Sequence, residues 1–262
     1  MSASKFLSGL CGLFPKSAAV SCAVSLVAVC AGICHTTNKN FGLIHAMRMA
    51  RRRATNRFLE ESMRRAFTTL SLQEVMQMLG QENLIPWLMD APPRPPSATL
   101  LENLRRFEAF DLRGSEAAKL LLIDALLAET VPNHPNLKIW KDKRLDSDDL
   151  TGSADYLIAP KRAYLDTPLL CVVEAKRDDF EEGLTQCLAE MLACQWNNRK
   201  KGFFTDVFGI VSNGEGWKFY WLKQSGEVFE TGEYAMTSLS ALLGILDYVC
   251  AECASRVPQL TS

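Results

Sequence analysis

The sequence predicts an α/β domain, a mixed central sheet flanked by helices. Three observations carry that expectation. Leu169 to Ala175 is a nearly continuous apolar run, as in a strand buried on both faces. Helical stretches stand on either side of it, Glu116 to Val131 before it and a segment opened by Asp179 after it. Two further apolar runs, Val207 to Ser212 and Trp217 to Lys223, flank Asn213-Gly214-Glu215-Gly216, a hairpin signal.

Taken in order, residues 54 to 90 read as an amphipathic helical extension, with Phe58, Met63, Phe67, Leu70 and Leu72 among charged neighbours. Ala91-Pro92-Pro93-Arg94-Pro95-Pro96-Ser97 cannot continue a helix and favours an extended linker. The main domain is therefore expected to span residues 98–262. Ser115 can cap the run that starts at Glu116, Leu120 to Ile123 with Leu126 and Leu127 bury it, and Pro132 and Pro135 stop it. Leu137 to Arg144 alternates loosely as a strand, and Ala154 to Ile158 reads as a short one. The loop holding Asp146, Asp148 and Asp149 lacks the glycine and spacing of a calcium loop and reads as a solvated turn. Asp179 and Glu182 form a capping box for a helix with Leu184, Cys187, Leu188, Met191 and Leu192 on one face. An apolar helix from Ser238 to Cys253 closes the chain. The order is helix, three strands, helix, two or three strands, helix.

The 262 residues, 48% hydrophobic and 23% charged, suffice for one generous core and exclude a disordered or collagenous chain. The net charge of −1 conceals an asymmetry. Residues 1 to 59 hold eight Lys and Arg and no acid, which leaves 21 basic against 30 acidic residues beyond them, a net of −9. A body this acidic does not coat itself in nucleic acid by bulk charge, so any such contact is local. The nine cysteines are read as reduced thiols inside a cell. Cys250 and Cys253 make a lone CxxC without a second pair or a nearby histidine, which argues against zinc.

Residues 1–53 form a basic front whose centre, 18–34, is mostly Ala, Val, Cys and Ser. Its length is just sufficient to span a bilayer. Three readings stay open: a membrane tether with the arginines cytoplasmic, a removable presequence, or a start of translation near Met47 or Met49.

The chemistry concentrates at the end of the apolar strand. Glu174 and Lys176 are two apart and leave the same face, with Cα atoms roughly 6.5 Å apart at about 3.3 Å per residue. Charges so placed are costly to bury unless they meet a metal, a substrate or each other. Asp155, on the preceding strand, can set its carboxylate beside Glu174. Two carboxylates and a lysine suit phosphodiester hydrolysis with Mg²⁺, or Mn²⁺ in its place, the Ala175 carbonyl being a further ligand. A Glu-x-Lys triplet is common by chance, and a structural ion pair at the strand end is the competing reading.

Gly152-Ser153-Ala154-Asp155-Tyr156-Leu157, then Pro168 through Val173 and Glu174-Ala175-Lys176-Arg177, resemble the PD-(D/E)xK nuclease superfamily, the restriction endonuclease-like fold. The likeness is closest to the nuclease domains of type I restriction motor subunits and covers about Ser115 to Lys223. It departs in having Ala154, not Pro, before Asp155. The resemblance implies an αβββαβ core and a metal-dependent nuclease. It implies catalytic roles for Asp155, Glu174 and Lys176, with Asp155, Glu174 and Ala175 holding the metal. It adds Gln186 in the following helix, with Glu190 as its neighbour one turn on, and Glu116 as an extra acidic ligand. For Glu116 the competing role is favourable interaction with the helix dipole.

The partner implied is nucleic acid, DNA before RNA, and a homodimer would serve two-strand cutting. Lys138, Lys141, Lys143 and Arg144, Lys161 with Arg162, and Asn198-Arg199-Lys200-Lys201 are either phosphate contacts or solvated faces. Trp217, Phe219 and Trp221 share one hairpin face and are read as packing residues. The alternative to catalysis is a silent module of the same fold that binds nucleic acid or a protein.

Overall fold

The computed structural model describes residues 64–112, 116–176 and 180–258. The readings made for the acid-free front, for residues 54–63, and for the caps Ser115 and Asp179 lie outside them. In chain order the strands are Arg65–Ala66 (β1), Ile85–Pro86 (β2), Leu137–Asp146 (β3), Leu150–Pro160 (β4), Cys171–Ala175 (β5), Val207–Ser212 (β6), Gly216–Leu222 (β7), Val228–Glu230 (β8) and Tyr234–Ala235 (β9). The α-helices are Leu72–Leu79 (α1), Ala98–Phe107 (α2), Glu116–Thr130 (α3), Phe180–Lys200 (α4) and Leu239–Ser255 (α5). From α3 to β6 the elements follow the expected αβββαβ order.

Among the described residues the sheet is mixed and nine-stranded, ordered β1-β4-β5-β6-β7-β8-β2, with β3 also on β4 and β9 on β7. β4 and β5 are antiparallel, whereas β5 and β6 are parallel and need a crossover, which α4 supplies. Alternate residues of β5 serve opposite layers. Val172 packs with Leu188, Met191 and Val75 under α4 and α1, while Val173 packs with Ile123, Leu126 and Leu246 under α3 and α5. Both faces are covered, which is why this strand reads as an unbroken apolar run. The apolar character of α5 has the same cause, since Leu242, Leu243, Leu246 and Val249 are core residues.

The segment before the prolines differs from its expected form. Among the described residues its α-helix is eight residues long. Ser71 and Glu74 close a capping box at its start, and Gly80, at φ 68°, ends it in the left-handed region. β1 pairs with β4 at one edge of the sheet and β2 with β8 at the other. Pro86 is tolerated because β2 is an edge strand. Trp87 then stacks on Phe208 at 6.1 Å and meets Trp221 at 5.4 Å. The proline stretch itself is held, with the Arg94 guanidinium 2.6 Å from the Asp247 carboxylate. Residues on both sides of the prolines therefore share one sheet, so the linker expected before residue 98 crosses the domain instead of bounding it.

β4 also begins earlier than expected, at Leu150, because Gly152 leaves room for the Phe67 ring to seat on the strand. At the far end of α4, Gly202 adopts φ 82° and the Phe203 N–H bonds back to the Asn198 carbonyl at 2.9 Å. The buried Asn198 side chain bonds both main-chain groups of Leu169, accepting at 2.7 Å and donating at 2.8 Å. That residue ties the end of α4 to the entry of β5. Trp217 and Phe219 are fully buried and Trp221 stacks on Phe208, so the hairpin face is packing, as read.

Candidate functional site

The register of the sheet brings the expected pair together. Tyr156 lies opposite Val173 in the antiparallel β4–β5 ladder, so the next position outward sets Asp155 opposite Glu174 on the same face. Asp155 then replaces a ladder bond with its own side chain: its Oδ2 accepts from the Ala175 N–H at 2.9 Å. In an extended residue the N–H and C=O point to the same neighbour, so the Ala175 carbonyl is directed to the Asp155 side too. On the other flank the β3–β4 ladder pairs Lys141 with Tyr156 and Lys143 with Ala154 but skips the position between them. Asp142 occupies that gap at φ 47°, the one positive-φ residue other than glycine among those described. Aspartate tolerates this conformation better than most residues.

Glu174 faces α4 and is one of four side chains that form a ring there. Its Oε1 lies 3.1 Å from Lys176 Nζ. Lys176 Nζ donates to Gln186 Oε1 at 3.0 Å, and Gln186 Nε2 donates to Glu190 Oε1 at 3.2 Å. Glu190 comes back toward Glu174, whose negative charge acts on it. Lys176 also lies 3.4 Å from Glu182. The amide orientation of Gln186 follows from chemistry: an ammonium only donates, so the amide oxygen faces Lys176 and the NH₂ faces Glu190.

Two carboxyls this close and this buried do not both ionise readily. Burial, followed by the charge of Asp155, raises Glu174 to about 7, against the pull of Lys176. Burial and then the charge of Glu174 push Glu190 well above the usual carboxylate range. Each keeps one oxygen, Oε2, buried and without a partner among the described residues. A cation near Glu174 and Asp155 would relieve that arrangement. The donors available are hard oxygens, two carboxylates and a main-chain carbonyl, which is the chemistry that holds Mg²⁺ or Mn²⁺. No group of three or more His, Cys, Asp or Glu side chains is arranged as a metal site among the described residues.

Gly183 brings α4 down onto the strand. A Cβ there would lie 2.6 Å from Val211 Cγ1 and 2.9 Å from Lys176 Cγ. Without it, Gln186, one turn later, could not reach the ammonium. Of the residues expected at the site, Asp155, Glu174, Ala175, Lys176 and Gln186 are thus brought together. Glu116 is the first residue of α3, and its side chain lies outside the described part. Glu190, read as a mere neighbour of Gln186, is fully buried inside the ring. The reading missed Gly183 and Asp142, for which only the residue types gave a signal.

The basic segments fall in different places. Lys141 pairs with Asp124 at 2.7 Å and Arg144 with Asp146 at 2.9 Å. Lys161, Arg162 and Arg199 to Lys201 lie at the other end of the sheet, where β5 and β6 begin. Glu174 is three residues beyond the start of β5, about 10 Å at about 3.3 Å per residue, and Lys161 is six residues past Asp155 along β4, about 20 Å. They are not contacts of this site.

Compared with known proteins, the chain matches no family model and no curated protein sequence.

Proposed function

We propose that this protein is a metal-dependent nuclease that hydrolyses phosphodiester bonds of DNA or RNA, a member of the PD-(D/E)xK superfamily its motifs resemble. The observation that carries the reading is the meeting of Asp155, Glu174 and Lys176 on one sheet face, with the Ala175 main chain turned to Asp155. A structural ion pair needs only Glu174 and Lys176. It gives no reason for a second carboxylate opposite, nor for a main-chain carbonyl aimed at the same place.

Asp155, Glu174 and the Ala175 carbonyl would hold the divalent cation. When bound, such an ion polarises a phosphate and lowers the pKa of water. Lys176 directs its ammonium N–H groups toward the reacting phosphate and stabilises the charge that develops on its oxygens. Gln186 fixes the ammonium, and Glu190 fixes Gln186, so Lys176 arrives oriented and does not search rotamers during the reaction. The buried walls exclude bulk water and strengthen these interactions.

The test is incubation of the full chain with labelled single- and double-stranded DNA and RNA in Mg²⁺, Mn²⁺ or EDTA. Cleavage in either metal and none in EDTA is the expected result, and the preferred strand type defines the substrate. A folded protein inert on all four substrates contradicts the reading and favours a silent module of the same fold.

A further inference from the structure

We infer that the end of the sheet remote from Glu174 is a docking surface for single-stranded nucleic acid. Two loops form it, residues 161–169 and 201–206, which enter the adjacent parallel strands β5 and β6. Asn198 joins them, bonding Leu169 through its side chain and Phe203 through its carbonyl. Each loop carries an aromatic ring held out in solvent: Tyr164 is 66% exposed and Phe204 is 69% exposed. Both rings forgo the burial that would stabilise the fold, while the neighbouring Trp87, Phe208 and Trp221 are stacked together.

The charge around these rings is one-sided. Lys161, Arg199, Lys200 and Lys201 are exposed, and none is ion-paired among the described residues. Lys223 arrives at the same end, because Leu222 pairs with Val207, where β6 begins. The carboxylates at this end are already engaged: Glu227, across the turn from Lys223, accepts from the Ser225 hydroxyl at 2.8 Å. Asp166 accepts from Arg162 and from the Thr167 N–H, and Asp206 from Trp221 Nε1 and the Gln224 N–H. In a body with a net charge of −9 beyond residue 59, an end where these cations form no ion pair among the described residues is a local exception. Cations that track phosphates beside rings that stack on bases are the two components of single-strand recognition. Duplex bases are already stacked on one another, so exposed rings favour an unpaired strand.

Binding here is independent of hydrolysis, so it is measured without turnover. Fluorescein-labelled dT20 is titrated in EDTA with the full chain, with Tyr164→Ala/Phe204→Ala and with Lys161→Glu/Lys201→Glu. All four side chains are exposed or on loops, and circular dichroism checks each fold. The ring variant is expected to bind at least about ten-fold more weakly with an unchanged salt slope. The charge variant is expected to lose affinity and to flatten the slope by about 1.4, at roughly 0.7 per phosphate contact on a single strand. Variants that bind dT20 as the wild type does overturn the inference. Phosphatidylserine vesicles are the second probe. Vesicle binding lost in both variants, with dT20 binding intact, overturns it in favour of a membrane surface. Loss of dT20 binding in a protein that cleaves nothing leaves this surface standing and removes only the nuclease reading.

Discussion

The Asp155 carboxylate accepts a hydrogen bond from the Ala175 main-chain N–H at 2.9 Å, in place of the carbonyl that would continue the β4–β5 ladder. One bond thereby fixes the carboxylate opposite Glu174 and turns the Ala175 carbonyl toward it. The strands part at the candidate site, and their loose end is closed by a side chain.

Glu190 accepts from Gln186 at 3.2 Å, and two substitutions separate a positioning role through that bond from bulk packing. Glu190→Gln can still accept from Gln186 and donate to Glu174, so it should keep cleavage within about three-fold. Glu190→Leu removes a carboxyl that is costly to bury, so it should still fold, yet leave Gln186 free to rotate. Cleavage should then fall about 10–100-fold at unchanged KM, the usual scale for a supporting residue. Equal activity of both variants and wild type in steady-state kinetics would show that the ring has no positioning role.

The carboxyl pair makes stability depend on pH. Glu174 is raised from 4.5 to about 7 in the folded chain, so its contribution is complete below about 4.5 and is lost as pH rises through about 7. The loss is on the order of 3 kcal/mol for this one group. Glu190 shifts in the same direction. In EDTA the protein should melt at a lower temperature at pH 8 than at pH 5, and Glu190→Gln should flatten that difference. A flat or rising profile in differential scanning calorimetry would mean the pair is not buried together.

Gly183→Ala tests the approach of α4 to the strand. Alanine gains about 1 kcal/mol of helix propensity over glycine. Its Cβ, however, would press on Val211 at 2.6 Å and on Lys176 at 2.9 Å. Overpacking of this kind costs about 1–3 kcal/mol. The expected outcome is a lower melting temperature together with slower cleavage, because Lys176 must move. A more stable protein with full activity would contradict the described contact.

Asn198→Ala removes both hydrogen bonds that hold Leu169 and leaves a buried N–H and C=O without partners. Destabilisation of roughly 2–4 kcal/mol is expected in urea unfolding. A change below 0.5 kcal/mol, the ordinary scale of surface substitutions, would show that Asn198 is not a buried tie.

The core of this fold was legible because its signals are long. The run over Leu169 to Ala175 and the helix carrying Leu184, Leu188 and Met191 each repeat their pattern several times. β1, β2 and β9 are two residues each, too short for any periodicity, and they exist because neighbouring strands offer edges. The helix expected over 54 to 90 is cut at Gly80, whose left-handed conformation is a tertiary choice as much as a local one. In the candidate site, strand alternation and chain order sufficed for Asp155, Glu174 and Lys176. Glu190 was not legible, since a glutamate beside an apolar helix face ordinarily meets water. Only the closeness of α4 to β5, which Gly183 permits, encloses it.

The most direct test of the central claim is single-turnover cleavage of labelled DNA and RNA in Mg²⁺ by wild type, Asp155→Ala and Lys176→Ala, each shown to be folded. The account predicts cleavage by the wild type that EDTA abolishes and that both variants lose by at least about 100-fold. Cleavage that survives in both variants, or none in a folded wild type, would contradict it.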